Sequence, residues 1–216
     1  MSVAGLLLAA GAGRRLGRPK ALVRFEGALL VERGVRLLRD GGCDPVVVVL
    51  GAAADAVCER AELGGARVVR NDAWESGMGS SLRSGLAALA GDRDTGDGDA
   101  GDRDAGEGAV VVALVDQPLV GAEAVRRLIA AWRSDPSLSA AVATYGGRPR
   151  NPVLLARSAW PAAAEAAEGD QGARAFLRGA PDTYDARVAE VDCDGTGSPA
   201  DVDTPAQLAS LTHRTS

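Results

Sequence analysis

Short, unbroken apolar runs alternate with stretches of helical periodicity along this 216-residue chain. Val3–Ala9 (VAGLLLA), Pro45–Leu50 (PVVVVL) and Ala109–Val115 (AVVVALV) carry no polar interruption. A strand with one wet face alternates apolar and polar residues, so an unbroken run needs cover on both faces. Between the runs, Leu29, Leu30, Val31, Val35, Leu37 and Leu38 recur near helical spacing until Gly41-Gly42 ends the pattern. Ala52–Glu62, Ser81–Ala90, Ala122–Arg133, Ser158–Ala167, Gln171–Arg178 and Pro205–Leu211 read as further helices. Ala66–Arg70, Ser139–Tyr145, Pro152–Ala156 and Arg187–Val191 read as strands. The alternation predicts an α/β protein, a three-layer α/β/α sandwich around a mostly parallel sheet. Ligands of such sheets sit beyond the carboxyl ends of the strands. Residues 10–20, 71–81 and 116–118 are therefore the places to look.

The length suits one domain, expected over residues 1–212. Its net charge of −5 is local. Residues 91–108 (GDRDTGDGDAGDRDAGEG) hold seven acids against two arginines, so this insertion carries all of it, and the remaining residues balance at zero. Six glycines and no apolar bulk predict a disordered surface loop there. The spacing of its acids fits neither a calcium loop nor a nonapeptide repeat.

Other counts exclude whole classes of chemistry. His213 is the single histidine, which argues against a Ser-His-Asp triad, a histidine base and the usual His-containing zinc sites. Cys43, Cys58 and Cys193 form an odd, scattered set, read as reduced thiols of a cytoplasmic protein. The apolar start lacks a basic flank and runs straight into glycines, so it is not read as a signal peptide. No apolar run has the ~18–20 residues of a membrane span. Without a basic surplus, nucleic acid is not an expected partner.

The first loop is the richest segment. After Leu8, Ala9 and Ala10 come Gly11, Gly13 and Gly17, interleaved with Arg14, Arg15, Arg18 and Lys20. Glycines let backbone N–H groups approach a phosphate, and the bases add charge-assisted hydrogen bonds. The loop is neither a dinucleotide fingerprint, which would need glycine at Leu16, nor a Walker A loop. The second segment, Asp116-Gln117-Pro118, puts a carboxylate at the carboxyl end of a buried strand, where it can hold Mg²⁺ or cap the next helix. The third runs from Asn71 through Trp74, Met78, Ser80 and Ser81 into a helix, where free N–H groups and hydroxyls suit polar ligand atoms; capping by either serine is the plain alternative. Trp74 and Met78 are expected to pack in the core.

These motifs carry a resemblance. The pattern L-A-A-G-x-G-x-R-x-G-x-x-K over residues 8–20 resembles the signature loop of nucleotidyltransferases with the nucleotide-diphosphosugar transferase-like fold. D-Q-P at 116–118 resembles the metal-binding element of the molybdenum cofactor cytidylyltransferases, whose guanylyltransferase sisters vary its middle residue, and N-x-x-W-x-x-G-M-x-x-S-L-x-x-G-L at 71–86 resembles the same family's base-recognising stretch. Gly147–Leu154, with Arg150 where the family usually has glycine, Gly169–Arg174 (GDQGAR) and Asp201–Pro205 (DVDTP) extend the likeness to residues 3–211.

The resemblance implies transfer of a nucleoside monophosphate to a phosphate monoester, with release of pyrophosphate. Leu8, Ala9, Ala10, Gly11 and Gly13 would border the nucleoside, with Asn71, Ser80 and Ser81 at the base. Lys20 and Arg15 would neutralise the triphosphate, and Asp116 would act with them in catalysis. Mg²⁺ would sit on Asp116 and on Asp203 in preference to Asp201. Asn151, Pro152, Asp170 and Arg174 would face the acceptor. Sister enzymes more often read L-A-G-G, so Ala10 and Gln117 lean toward CTP as donor, with molybdopterin as acceptor and transient contact with a molybdenum hydroxylase or its chaperone. GTP-dependent guanylyl transfer, a sugar-phosphate acceptor, and a nucleotide-binding insertion factor without chemistry remain open alternatives.

Overall fold

The computed structural model describes residues 1–91, 108–174, 176–178 and 187–212. Of the acidic loop expected at 91–108, residues 92–107 lie outside the described residues, as does His213. A seven-stranded sheet has the order β5-β4-β1-β6-β8-β7-β9, with β1 Val3–Ala9, β4 Val46–Leu50, β5 Arg67–Arg70, β6 Ala109–Leu114, β7 Ala140–Tyr145, β8 Arg148–Ala156 and β9 Val188–Asp192. A small separate hairpin joins β2 Arg24–Phe25 to β3 Ala28–Leu29. Only β8 runs against its neighbours in the large sheet, because β7 and β8 are joined by the tight turn Gly146-Gly147.

The unbroken runs are explained by cover on both faces. Along β1, Val3, Leu7 and Ala9 join one core cluster while Ala4, Leu6 and Leu8 join the other. The first face is covered by α1 (Leu30–Asp40) and α4 (Ala122–Ser134), the second by α3 (Met78–Gly91) and α5 (Trp160–Ala166). Burying a leucine such as Leu6 or Leu7 completely contributes roughly 1.5–3 kcal/mol. Both layers approach β1 on glycine. A Cβ at Gly34 would stand 2.6 Å from Leu7, and one at Gly85 would stand 2.4 Å from Leu6. Further helices are α2 (Ala54–Arg60) and α6 (Pro205–Thr212), and residues 173–174 and 176–178 are also helical.

Boundaries differ from the sequence reading where periodicity is silent. The helix expected at Ser81 begins at Met78, so Ser80 and Ser81 lie in its first turn and neither is an N-cap. The strand expected at Pro152 begins at Arg148, because the polar Arg148-Pro149-Arg150 end pairs with β7 beyond the covered part of the sheet. Helices expected at 52–62 and 158–167 shorten to 54–60 and 160–166. Gln171 belongs to a separate 3-10 turn, Gly169–Gln171.

The chain places β4 and β5 on one side of β1, then returns with β6 on the other. The crevice at this reversal opens beyond Ala9 and Leu114, where a doubly wound sheet binds ligands.

Candidate active site

The loop leaving β1 folds back on itself at Gly13, which has φ 61° and approaches Arg18 so closely that a Cβ would lie 2.1 Å from its carbonyl oxygen. Only glycine fits there. Leu16 and Ala21 are buried and pin the loop to the core, which leaves Arg14, Arg15 and Arg18 exposed around the crevice. Lys20 turns inward.

Its ammonium is the hub of the site. Lys20 Nζ donates at 2.6 Å to Asp116 Oδ2 and at 2.6 Å to Asp203 Oδ1. Arg15 Nη2 donates at 3.1 Å to the other oxygen of Asp203. Asp116 follows β6, whereas Asp203 comes from the segment before α6. That segment is tied down by Val202 N–H, which donates to the Asp116 carbonyl at 2.8 Å. Burial opposes the charge of Lys20, yet the two carboxylates outweigh it and hold the ammonium above its ordinary pKa. The Lys20 hydrogen bond holds the Asp203 carboxyl below its ordinary value. Burial pushes the Asp116 carboxyl up, against the pull of Lys20. Asp116 Oδ1 is buried and has no hydrogen-bond partner.

Gln117 is engaged elsewhere. It is buried, and its amide donates to Asp201 Oδ1 at 2.8 Å and to the Pro199 carbonyl at 3.2 Å. Asp201 is thus held by Gln117 outside the crevice, while Asp203 lines it. Gln117 does not line it either, so its side chain is not positioned to read a base.

The crevice encloses about 530 Å³, walled by Leu8, Ala10, the glycine loop, Lys20, Asp116 and Asp203. Ser81, Asp170, Trp74 and Met78 close it on the far side. The last two are half-buried walls of the crevice, and Met78 also packs against the core as expected. Ala9 points into the core beneath. Asn71 is buried: its amide donates to Ser80 Oγ at 2.8 Å and Ser81 Oγ at 3.0 Å, and its oxygen accepts from Ala73 N–H. Asn71 and Ser80 therefore fix Ser81 and do not line the crevice themselves. Glu75 and Ala12 line it without having been singled out. Of the four residues expected at an acceptor, only Asp170 lines this crevice; Asn151 and Arg174 line a separate cavity, and Pro152 is buried. Arg150 occupies extended backbone paired with Ala143, so glycine is not required there.

Residues 5–188 match the MobA-like NTP transferase domain. The chain is 41% identical over 214 residues to a nicotine blue oxidoreductase of Paenarthrobacter nicotinovorans, covering 97% of this chain and 96% of that one. It is 33% identical over 133 residues to a molybdenum cofactor guanylyltransferase of Rhodobacter capsulatus, covering 61% of this chain and 60% of that one. Solved structures from two mycobacteria superpose along the chain. The protein from Mycobacterium sp. strain JC1 is 30% identical with a TM-score of 0.77, covering 98% of this chain and 96% of that one. A manganese complex from Mycobacterium tuberculosis is 25% identical with a TM-score of 0.72, covering 99% of both. With a glycine loop, a lysine between two carboxylates and a match over most of its length, this chain belongs to the MobA-like NTP transferase family.

Proposed function

We propose that residues 1–212 act as one nucleotidyltransferase domain that transfers CMP from CTP to molybdopterin. The observation that carries the reading is the Lys20 ammonium held between Asp116 and Asp203 at the mouth of a glycine loop. An oxygen of the acceptor phosphate attacks the α-phosphorus in line, the bond to the bridging oxygen breaks, and pyrophosphate leaves. The acceptor phosphate is already ionised near neutral pH, so no histidine base is required. Lys20 and Arg15 offset charge on the triphosphate, and the loop backbone from Leu8 to Gly13 orients it.

The carboxylates suit a divalent cation. Asp116 Oδ1 is buried without a partner, and Asp203 lies across the same ammonium. No group of three or more His, Cys, Asp or Glu among the described residues could hold a metal. Two carboxylates completed by substrate phosphates are the ligand set Mg²⁺ takes. Asp116 and Asp203 would hold it, and it would supply charge neutralisation on the transferring phosphate. The related manganese complex is consistent with divalent chemistry.

CTP is favoured by Ala10, whose methyl adds bulk to the crevice where sister enzymes more often carry glycine. Gln117 does not add to this preference, because its amide is committed to Asp201 and Pro199. Pyrophosphate release is the test, with CTP or GTP, Mg²⁺, and molybdopterin present or absent. Release that requires molybdopterin and prefers CTP is expected. Release preferring GTP would replace the donor, and none with any triphosphate would remove the reading.

The 41% identity to the nicotine blue oxidoreductase favours a second reading, oxidoreduction of nicotine blue. Leu16 interrupts the glycine fingerprint of a dinucleotide-cofactor loop. Bleaching of the dye that depends on NADH or NADPH, without pyrophosphate release, would establish it.

A further inference from the structure

A second cavity of about 570 Å³ opens between β7, β8, β9 and the helical residues 174 and 177–178. Its apolar wall is Val142, Val153, Leu177 and Val188, while Arg150, Arg174 and Arg178 face it, with Glu190 as the single acid among the described residues. Arg174 and Arg178 have no ion-pair partner among the described residues. Both lie in helical backbone and line the same cavity, and like charges brought together in this way cost stability unless an anion answers them. Asn151, only 6% exposed, lines the cavity and its amide makes no hydrogen bond among the described residues. That leaves the amide free to hydrogen-bond a polar ligand in the cavity.

The cavity stands in register with the crevice. Val142 and Val153 belong to the same core cluster as Leu8 and Leu114, so both cavities open on one face of the sheet. They lie at the same end, because Arg150 and Asn151 begin the antiparallel β8 beside the end of β6. From β6 to β7 is two strand spacings, roughly 10 Å. The segment carrying Asp170 walls the crevice, and four residues later Arg174 walls the second cavity.

We infer that this cavity is a second oxyanion site, in which Arg174 and Arg178 clasp a phosphate or carboxylate while the Asn151 amide hydrogen-bonds it. Arg150 adds a third positive charge. The oxyanion is either a second anionic group of the acceptor or a free anion acting on turnover; the acceptor role rests on the nucleotidyl-transfer reading, the site itself does not.

Inorganic phosphate titrated into the full chain, followed through the arginine Nε–Hε NMR resonances, tests it. Saturable shifts at Arg174 and Arg178 are expected, with phosphate affinity at least ten-fold weaker in Arg174→Gln/Arg178→Gln. The thermal midpoint of that variant should not fall, since both side chains are exposed and their repulsion is removed. Equal phosphate affinity in both proteins, or shifts confined to Arg15, would overturn the site. Phosphate competing with molybdopterin in the pyrophosphate assay assigns the oxyanion to the acceptor, and a non-competitive effect assigns it to a free anion. A chain that releases no pyrophosphate fails the nucleotidyl-transfer reading and leaves the resonance shifts to decide the site.

Discussion

Replacing Lys20 with methionine keeps the unbranched side chain, one atom shorter, and removes the charge between the carboxylates. The lysine makes two 2.6 Å charge-assisted bonds, and its side chain and those of Asp116 and Asp203 are 18%, 17% and 24% exposed. Breaking a fully buried ion pair costs about 3–5 kcal/mol. Residual exposure here, and the Arg15 bond that Asp203 retains, bring the expected loss to about 2 kcal/mol. For a chain of this size that lowers Tm by about 4–8 °C. Two further consequences separate an active site from a structural ion pair. Turnover should fall by about 10²–10³, the usual effect of losing one charge-stabilising donor. Mn²⁺ measured without nucleotide should bind about ten-fold tighter in K20M, a gain of about 1.4 kcal/mol, because the ammonium no longer occupies the space between the carboxylates. The pH dependence has a definite sign. The pKa of Lys20 is raised above 10.5, so its stabilisation is complete below 10.5 and lost as pH rises through the folded value. The stability gap between wild type and K20M should therefore be flat from neutral pH to 10.5 and close only above it. A variant with wild-type turnover, or with no gain in Mn²⁺ affinity, would refute the shared-cation geometry.

Other perturbations read separate parts of the site. Gly13→Ala should weaken CTP binding at least ten-fold in titration calorimetry, since its Cβ would meet the Arg18 carbonyl. Gly17→Ala, at φ 74° with open space around it, should cost only about 1 kcal/mol in denaturant unfolding and leave CTP binding alone. Thiol titration of the native protein should find Cys58 reacting fast and Cys43 and Cys193 only on unfolding; the first is exposed, while burial holds Cys43 up at about 12 and also raises Cys193. Gln117→Ala should lower kcat about ten-fold by loosening the segment that presents Asp203, yet leave the ratio of CTP to GTP turnover unchanged in the pyrophosphate assay.

Much of the scaffold could be read from the chain because burial on both faces leaves an unmistakable mark. VAGLLLA and AVVVALV have no polar residue to turn toward water, so their strands, the layers above and below them, and the crevice at their ends followed together. The basic loop was equally plain, since four cations within seven residues need a common partner. The start of α3 was not, because Met78-Gly79-Ser80 carries no helical stripe: Gly79 lies against the Ala167 carbonyl, and Ser80 spends its hydroxyl on the Ala73 and Gly77 carbonyls. The second cavity was hidden for a different reason. Arg150, Arg174 and Arg178 meet only after β7 and β8 have paired and the residues around 173–178 have packed over them.

Gln117 and Lys20 show where reading one residue at a time fails. Gln117 between Asp116 and Pro118 leaned the resemblance toward CTP, but the neighbour that holds its amide, Asp201, is 84 residues away. With its amide spent there, Gln117 acts on the segment that presents Asp203 and not on base choice. Lys20 is the converse case. Its partners lie 96 and 183 residues away, and the sequence assigned it a triphosphate instead of these carboxylates; what could be read was only that a basic residue in this loop calls for an anion. Charge constrains a partner's chemistry strongly enough to be inferred across the chain, whereas an amide that both donates and accepts accepts almost any neighbour. Specificity in this fold is therefore better sought in the groups that line the crevice, Ala10, Ser81, Trp74 and Met78, than in the triplet that ends β6.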